Sequence, residues 1–206
     1  MHTEALSKEG LQLLPALTAF GGFYVADGTA LALQIGHRLS VDFDLFSPDP
    51  IEGTLLARAE RVFAPEPLRP LVDNADQLTF LVRGVKVTLL HYPFPLLEPL
   101  VSLDGLSVLA VREIGATKAY TIGRRGTYKD YVDFYFILVE GKATLAEIIA
   151  MAERKFGTAF NSRLFAEQLL FLDDVRDYQI DYLKTRVTPD DLVAFFRNQI
   201  RDLPLG

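Results

Sequence analysis

The sequence predicts a mixed α/β protein, an α+β arrangement with a small sheet in the first half and helices through the second. Three observations carry that reading. Short apolar strands flank the Gly28-Thr29 turn, a hairpin signal lies at Arg83-Gly84, and from Val108 onward apolar residues recur at helical spacing. The division expected is a core at 1–105 and a helical domain at 106–206, with the boundary inside Pro99 to Ser107.

Glu4 to Phe20 reads as an opening helix. Phe23 to Val25 is a short apolar strand that runs into Asp27-Gly28-Thr29, with Thr29 the expected N-cap of a buried helix that Gly36 ends. Val41 to Phe46 alternates as a strand. Glu52 to Phe63 sets Leu55, Leu56, Ala59 and Val62 on one face and Arg58 and Arg61 on the other. Pro65, Pro67 and Pro70 mark a loop, Gln77 to Arg83 and Val85 to Leu90 form the hairpin, and His91-Tyr-Pro-Phe-Pro95 breaks the sheet. Leu109 to Ile122 is one helix, ended by Gly123 and Arg124-Arg125. Thr127 caps the next, and Asp130 at its third position returns a capping-box bond. Leu145 to Lys155, Asn161 to Leu172, and a helix that starts at Thr188-Pro-Asp-Asp191 and runs to about Arg201 complete the set. Asp173, Asp174, Asp177 and Asp181 lack a calcium-loop pattern and read as solvated loop.

The 206 residues include no Cys and three His, which excludes disulfides, thiolate catalysis and Cys-ligated zinc, and His2, His37 and His91 have no zinc-site spacing. A net charge of −6 argues against broad nonspecific nucleic-acid binding. RNA contact would need a local patch, for which Arg112, Lys118, Arg124, Arg125 and Lys129 are available. No apolar run has membrane-spanning length and the first residues lack a signal-peptide pattern, so a cytoplasmic location away from membranes is expected.

The chemistry concentrates in residues 23–46. On a strand Asp42 and Asp44 point the same way, roughly 7 Å apart along the chain, a spacing that suits one or two hard cations such as Mg²⁺. Gly28 lets the backbone approach a ligand, and the helix start behind it favours a phosphate. Further on, Asp130 and Asp133 lie one helical turn apart. They repel unless a cation or a lysine lies between, which directs attention to Lys118.

Gly28-Thr29, Gly36-His37-Arg38, Ser40 and Asp42-Phe-Asp44, followed by Arg112-Glu-Ile-Gly-Ala-Thr-Lys118 and Lys129-Asp130-Tyr-Val-Asp133, resemble the AbiEii/AbiGii toxin family of nucleotidyltransferase-like proteins. That family lies within the DNA polymerase β-type nucleotidyltransferases, and the resemblance covers about residues 10–140. It implies a polymerase β-type core with a mixed sheet, and a helical half that closes over the active-site cleft. It also implies Mg²⁺-dependent transfer of a nucleotide from an NTP to an acceptor hydroxyl. Asp42 and Asp44 would hold the metal, Gly28 and Thr29 would cradle the β- and γ-phosphates, and Lys118 with Arg38 would neutralise charge. Asp130 or Asp133 would orient or deprotonate the acceptor. Ser40 reads equally as a phosphate donor or a turn residue, and Arg38 as a phosphate ligand or a structural partner of an acid such as Asp44. The resemblance further implies a toxin of a type IV toxin–antitoxin or abortive-infection pair, with a cognate antitoxin and with tRNA or protein as acceptor.

The chain departs from the family pattern twice. Asp27 stands where members carry Gly, and Thr88 stands where polymerase β-type enzymes supply a third carboxylate. Two rival readings use the same residues: a catalytically silent nucleotide-binding or interaction module, and a small-molecule enzyme in the manner of aminoglycoside nucleotidyltransferases.

Overall fold

Apolar alternation and turn chemistry build the first unit, helical periodicity the second. The computed structural model describes residues 1–172, 175, 179–201 and 203. The chain forms two compact units, Met1–Pro95 with Pro99–Leu109, and Leu96–Glu98 with Ala110–Gly206.

In the first unit the opening helix is shorter than its apolar pattern suggested. A 3-10 turn at Thr3–Ala5 precedes α1 (Lys8–Leu17), which Ser7 caps by accepting a 3.0 Å hydrogen bond from the Gly10 N–H. Strand β1 (Tyr24–Ala26) is wholly buried and passes directly into α2 (Asp27–Ile35). The helix therefore starts two residues before Thr29, and its N-cap is Ala26. Thr29 is not the cap that the sequence suggested; its hydroxyl is engaged elsewhere. Gly36 closes α2 at φ 62°, with its N–H donating to Ala32 O at 2.8 Å.

The remaining strands are β2 (Phe43–Ser47), β3 (Arg69–Asp73), β4 (Gln77–Val82), β5 (Val85–His91), β6 (Val101–Leu103) and β7 (Leu106–Val108), with α3 (Leu55–Phe63) after β2. They make one seven-stranded mixed sheet in the order β3-β4-β5-β2-β1-β7-β6. Strand β2 is central, antiparallel to β1 and parallel to β5. The β4–β5 hairpin turns at Arg83 (φ 50°) and Gly84 (φ 79°), the two left-handed positions that a tight hairpin needs.

Two segments differ from expectation. The proline-rich stretch expected to be loop contains β3, which tolerates Pro70 because it is an edge strand with a register shift at Pro70/Val72. The expected linker after Pro99 holds the β6–β7 hairpin, whose turn uses Asp104 (φ 48°) and Gly105 (φ 85°). Because β7 pairs in parallel with β1, the sheet unit extends to Leu109.

The second unit is helical: α4 (Val111–Arg125), α5 (Tyr128–Val139), α6 (Leu145–Phe156), α7 (Ser162–Leu169) and α8 (Pro189–Arg201). Helix α4 continues through Gly123 and the basic pair, because backbone bonds within the helix outweigh one glycine's cost of about 1 kcal/mol. Reciprocal Thr/acid boxes start three of the helices: Thr127 with Asp130, Thr144 with Glu147, and Thr188 with Asp191. Tyrosine hydroxyls tie the segments together. The Tyr128 and Tyr182 hydroxyls both donate to Val187 O, at 2.8 and 3.0 Å, and Tyr131 donates to Gln168 O at 3.0 Å. Of the acidic run read as loop, Asp173, Asp174 and Asp177 lie outside the described residues, and Asp181 is exposed. Among the described residues no helix is long and apolar enough to cross a membrane.

Two consequences for stability follow. A Cβ at Gly36 would lie 2.6 Å from His2 Nδ1 while forcing a side chain onto a left-handed backbone. Gly36→Ala is expected to cost about 1–2 kcal/mol or more, read as a lowered denaturation midpoint at unchanged slope. Burial raises the Tyr131 phenol to about 12, with the Asp130 charge adding, and raises Tyr128 beyond the usual alkaline range. Both groups titrate near 10 once unfolded, so their contribution is complete below pH ~10 and is lost as pH rises toward 12. Denaturation at stepped pH should show that decline, and Tyr131→Phe should flatten it.

Candidate active site

Strand β2 is paired on both sides, so its side chains must alternate between core and polar face. Phe43 and Leu45 are buried, and Asp42 and Asp44 lie half-exposed on the opposite face. Asp42 immediately precedes the strand. In the ladder Asp44 is opposite Ala26 of β1 and opposite Thr88 of β5. Thr88 thus stands directly beside Asp44, where its neutral hydroxyl lies 3.4 Å from that of Thr79.

The α2 start is fastened to this face. The Thr29 hydroxyl lies 2.7 Å from Ser40 Oγ and donates to the Asp42 carbonyl, and both side chains are buried. These bonds set the turn that leads into Asp42. They also occupy the Thr29 hydroxyl, so the groups at this corner that could meet a phosphate are the first-turn N–H groups, which have no intrahelical acceptor. Gly28 is buried within that turn, and Asp27 opens it at φ 53°, a left-handed position that glycine would occupy without strain. Arg38 is buried and donates from Nη1 to Leu39 O at 3.0 Å.

A residue absent from the sequence-based site completes the face. Lys86 Nζ lies 2.9 Å from Asp42 Oδ2. Asp42 and Lys86 each immediately precede the first paired positions, Phe43 and Val87, of the parallel ladder. The hydrogen bond to Asp42 holds the Lys86 ammonium above the usual lysine range despite partial burial, and the charges of Asp42, Asp44 and Asp27 add to the effect. Two carboxylates on one face, with an ammonium as a stand-in cation on one of them, form a donor set that fits a hard divalent ion. Lys86 was legible only as an alternation partner of Thr88 in Val85-Lys-Val-Thr-Leu-Leu90, and nothing local announces its contact.

The helical unit carries its own charged centre. Lys118 on α4 lies 2.7 Å from Asp130 Oδ1 and 3.0 Å from Asp133 Oδ2, both on α5, and all three are buried. Asp130 Oδ2 also accepts from Thr127 N and Thr127 Oγ1, each at 2.8 Å. Asp130 is therefore both a capping group and an ion partner. A second buried pair had no sequence signal: Lys155 Nζ lies 2.6 Å from Glu113 Oε2, with both side chains fully enclosed. Glu113 Oε1 accepts from Leu97 N and, at 2.9 Å, from Glu98 N, which draws residues 96–98 into the helical unit.

The basic residues proposed for RNA contact are partly engaged. Arg112 lies 3.5 Å from both Glu98 and Glu147, Lys118 is buried, and Arg124 donates to Ala159 O at 2.6 Å and covers the Tyr120 ring. Lys129 is half-buried.

The mixed sheet, with Asp42 just before its central strand, Asp44 on it and a strand-to-helix turn alongside, is a fold that similar solved structures share. MenT4, a nucleotidyltransferase toxin from Mycobacterium tuberculosis H37Rv, aligns at TM-score 0.59 and 16% identity, over 95% of this chain and 85% of its own. JHP933 from Helicobacter pylori aligns at TM-score 0.53 and 18% identity, over 97% and 84%. An uncharacterized protein of Aquifex aeolicus (strain VF5) is 28% identical over 199 residues, 95% of this chain and 94% of its own. Residues 14–205 match the family described as nucleotidyl transferase AbiEii toxin, type IV TA system, and the chain belongs to that family. It is accordingly an enzyme of the nucleotidyltransferase class.

The buried lysine triad yields a test of folding. Lys118→Met leaves Asp130 and Asp133 buried without the lysine's charge. The expected loss is about 3–5 kcal/mol, measured by chemical denaturation, the usual cost of removing one partner from a buried ion pair. A variant as stable as the parent would show that the triad contributes nothing to the fold.

Proposed function

We propose that the protein transfers a nucleotide from an NTP to an acceptor hydroxyl, using the Asp42–Asp44 face with Mg²⁺, as the toxin of a type IV toxin–antitoxin or abortive-infection pair. The observation that supports this most directly is the pair of carboxylates on one face where central strand β2 begins, at the foot of the α2 start, in a chain of the AbiEii family. Asp42 and Asp44 would hold the ion, which when bound supplies positive charge to phosphate oxygens. The first-turn N–H groups at Gly28 and Thr29 bind the β- and γ-phosphates, while Ser40 keeps Thr29 and the approach to Asp42 in place. On the resemblance, Arg38 neutralises developing charge.

In the reaction proposed, the acceptor hydroxyl oxygen forms a bond to the α-phosphorus. The bond from that phosphorus to the bridging oxygen of the β-phosphate breaks, pyrophosphate leaves, and the hydroxyl proton passes to a base. On the resemblance alone, Lys118 takes part by offsetting charge, and Asp130 or Asp133 orients or deprotonates the acceptor. The same resemblance supports tRNA or protein as acceptor, a cognate antitoxin as partner and the cytoplasm as location.

The test is to incubate purified protein with each radiolabelled NTP, Mg²⁺ and total cellular RNA plus protein. Transfer of label to one acceptor class is expected, with Asp42→Ala lowering the rate by about a hundredfold or more. Mg²⁺–NTP binding without transfer would instead favour a silent binding module. Labelling only of a small cationic acceptor would favour an enzyme of the aminoglycoside type.

A further inference from the structure

Cation sites built from two half-exposed carboxylates face a problem when empty. Like charges on one strand face repel, and Asp42 and Asp44 are joined there by the neighbouring charge of Asp27. Among the described residues, the strand parallel to β2 supplies a positive group to this face. Lys86 lies on β5 beside Asp42 and two residues before Thr88, the position opposite Asp44, so its stem rises from the same face as both acids. Its side chain and that of Asp42 are each about two-fifths exposed, which leaves the ammonium free to move by rotamer change without unpacking the sheet.

We infer that Lys86 is the resident counter-cation of the Asp42–Asp44 pair, occupying the cation's place on Asp42 in the metal-free protein and yielding it when a divalent ion binds. The inference rests on the proposed reading of Asp42 and Asp44 as the metal-holding residues. Lys86 is then a specificity-determining residue. It lowers affinity for a bare ion, because the ion must displace an ammonium held at 2.9 Å. An ion that arrives with nucleotide phosphates gives the released ammonium a new anionic partner, so the penalty falls on metal alone and not on metal–nucleotide. An ordinary surface pair would leave no such difference, since exposed pairs contribute little and bind nothing in competition.

The experiment titrates the full chain with Mn²⁺ alone, following the free-ion electron paramagnetic resonance signal, for the wild type and for Lys86→Met, Lys86→Arg and Asp42→Asn. Lys86→Met should bind Mn²⁺ roughly three- to tenfold more tightly than wild type, whereas Lys86→Arg, which keeps the charge, should stay within about twofold. Saturating Mn²⁺ should also raise the melting temperature of Lys86→Met more than that of wild type. Lys86→Gln serves the same comparison if the Met variant does not fold. Unchanged or weaker Mn²⁺ binding in Lys86→Met, with binding lost in Asp42→Asn, would overturn the role of Lys86 and leave the site standing. Wild-type binding by Asp42→Asn would overturn both.

Discussion

The parallel register between β2 and β5 is the constraint on which the candidate site depends. Parallel neighbours cannot be joined by a tight turn, so the chain must leave the end of β2, cross through α3, β3 and β4, and return as β5 in the same direction. That crossover brings residues more than forty positions apart in sequence side by side. It puts Thr88 opposite Asp44 and Lys86 beside Asp42. A slip of one residue would turn Lys86 and Thr88 to the other face and bury a lysine under the sheet, so the apolar positions Val87 and Leu89 enforce the register.

The helical unit solves a different problem with similar groups. Among the described residues its core encloses two lysines and three acids, and each charge has partners within hydrogen-bonding distance. Buried ions are costly when alone, which makes these contacts specific rather than interchangeable. Lys118 reconciles two carboxylates one helical turn apart on α5. Glu113 divides its oxygens between an ammonium and two backbone N–H groups of residues 96–98. An apolar replacement of the Lys155–Glu113 pair would leave those N–H groups without an acceptor. The acid is therefore bound to the path of the chain as well as to its lysine partner.

Legibility followed locality. The Asp42–Asp44 face, the Arg83-Gly84 hairpin, the Gly36 helix end and the Thr127/Asp130 box are each written within a few residues, and each was readable from alternation, turn chemistry or capping rules. The lysine between Asp130 and Asp133 was inferable because helical spacing alone brings those acids together. What escaped depends on non-local pairing. The β6–β7 hairpin is short enough to pass for linker, and β3 hides behind Pro70 because an edge strand can dispense with that N–H. Thr29 looked like a cap because Thr after a Gly turn often is one. Its hydroxyl instead serves Ser40 and the Asp42 carbonyl, partners eleven and thirteen residues away.

The neutral residue at position 88 bears on how such a face is balanced. A carboxylate there would be almost as enclosed as Thr88, which is 8% exposed, and would stand next to Asp44 with Thr79 behind it. It would add repulsion to a face whose nearby lysine already answers Asp42, Asp44 and Asp27. Threonine meets the packing and hydrogen-bonding demands of the site without adding charge. On the proposed reading, two protein carboxylates then leave the rest of a magnesium ion's coordination to phosphate oxygens and water, which is how that ion prefers to be held. On that same reading a neutral position 88 would place more of the burden of metal capture on the nucleotide than on the protein, in the same direction as a lysine that contests the bare ion.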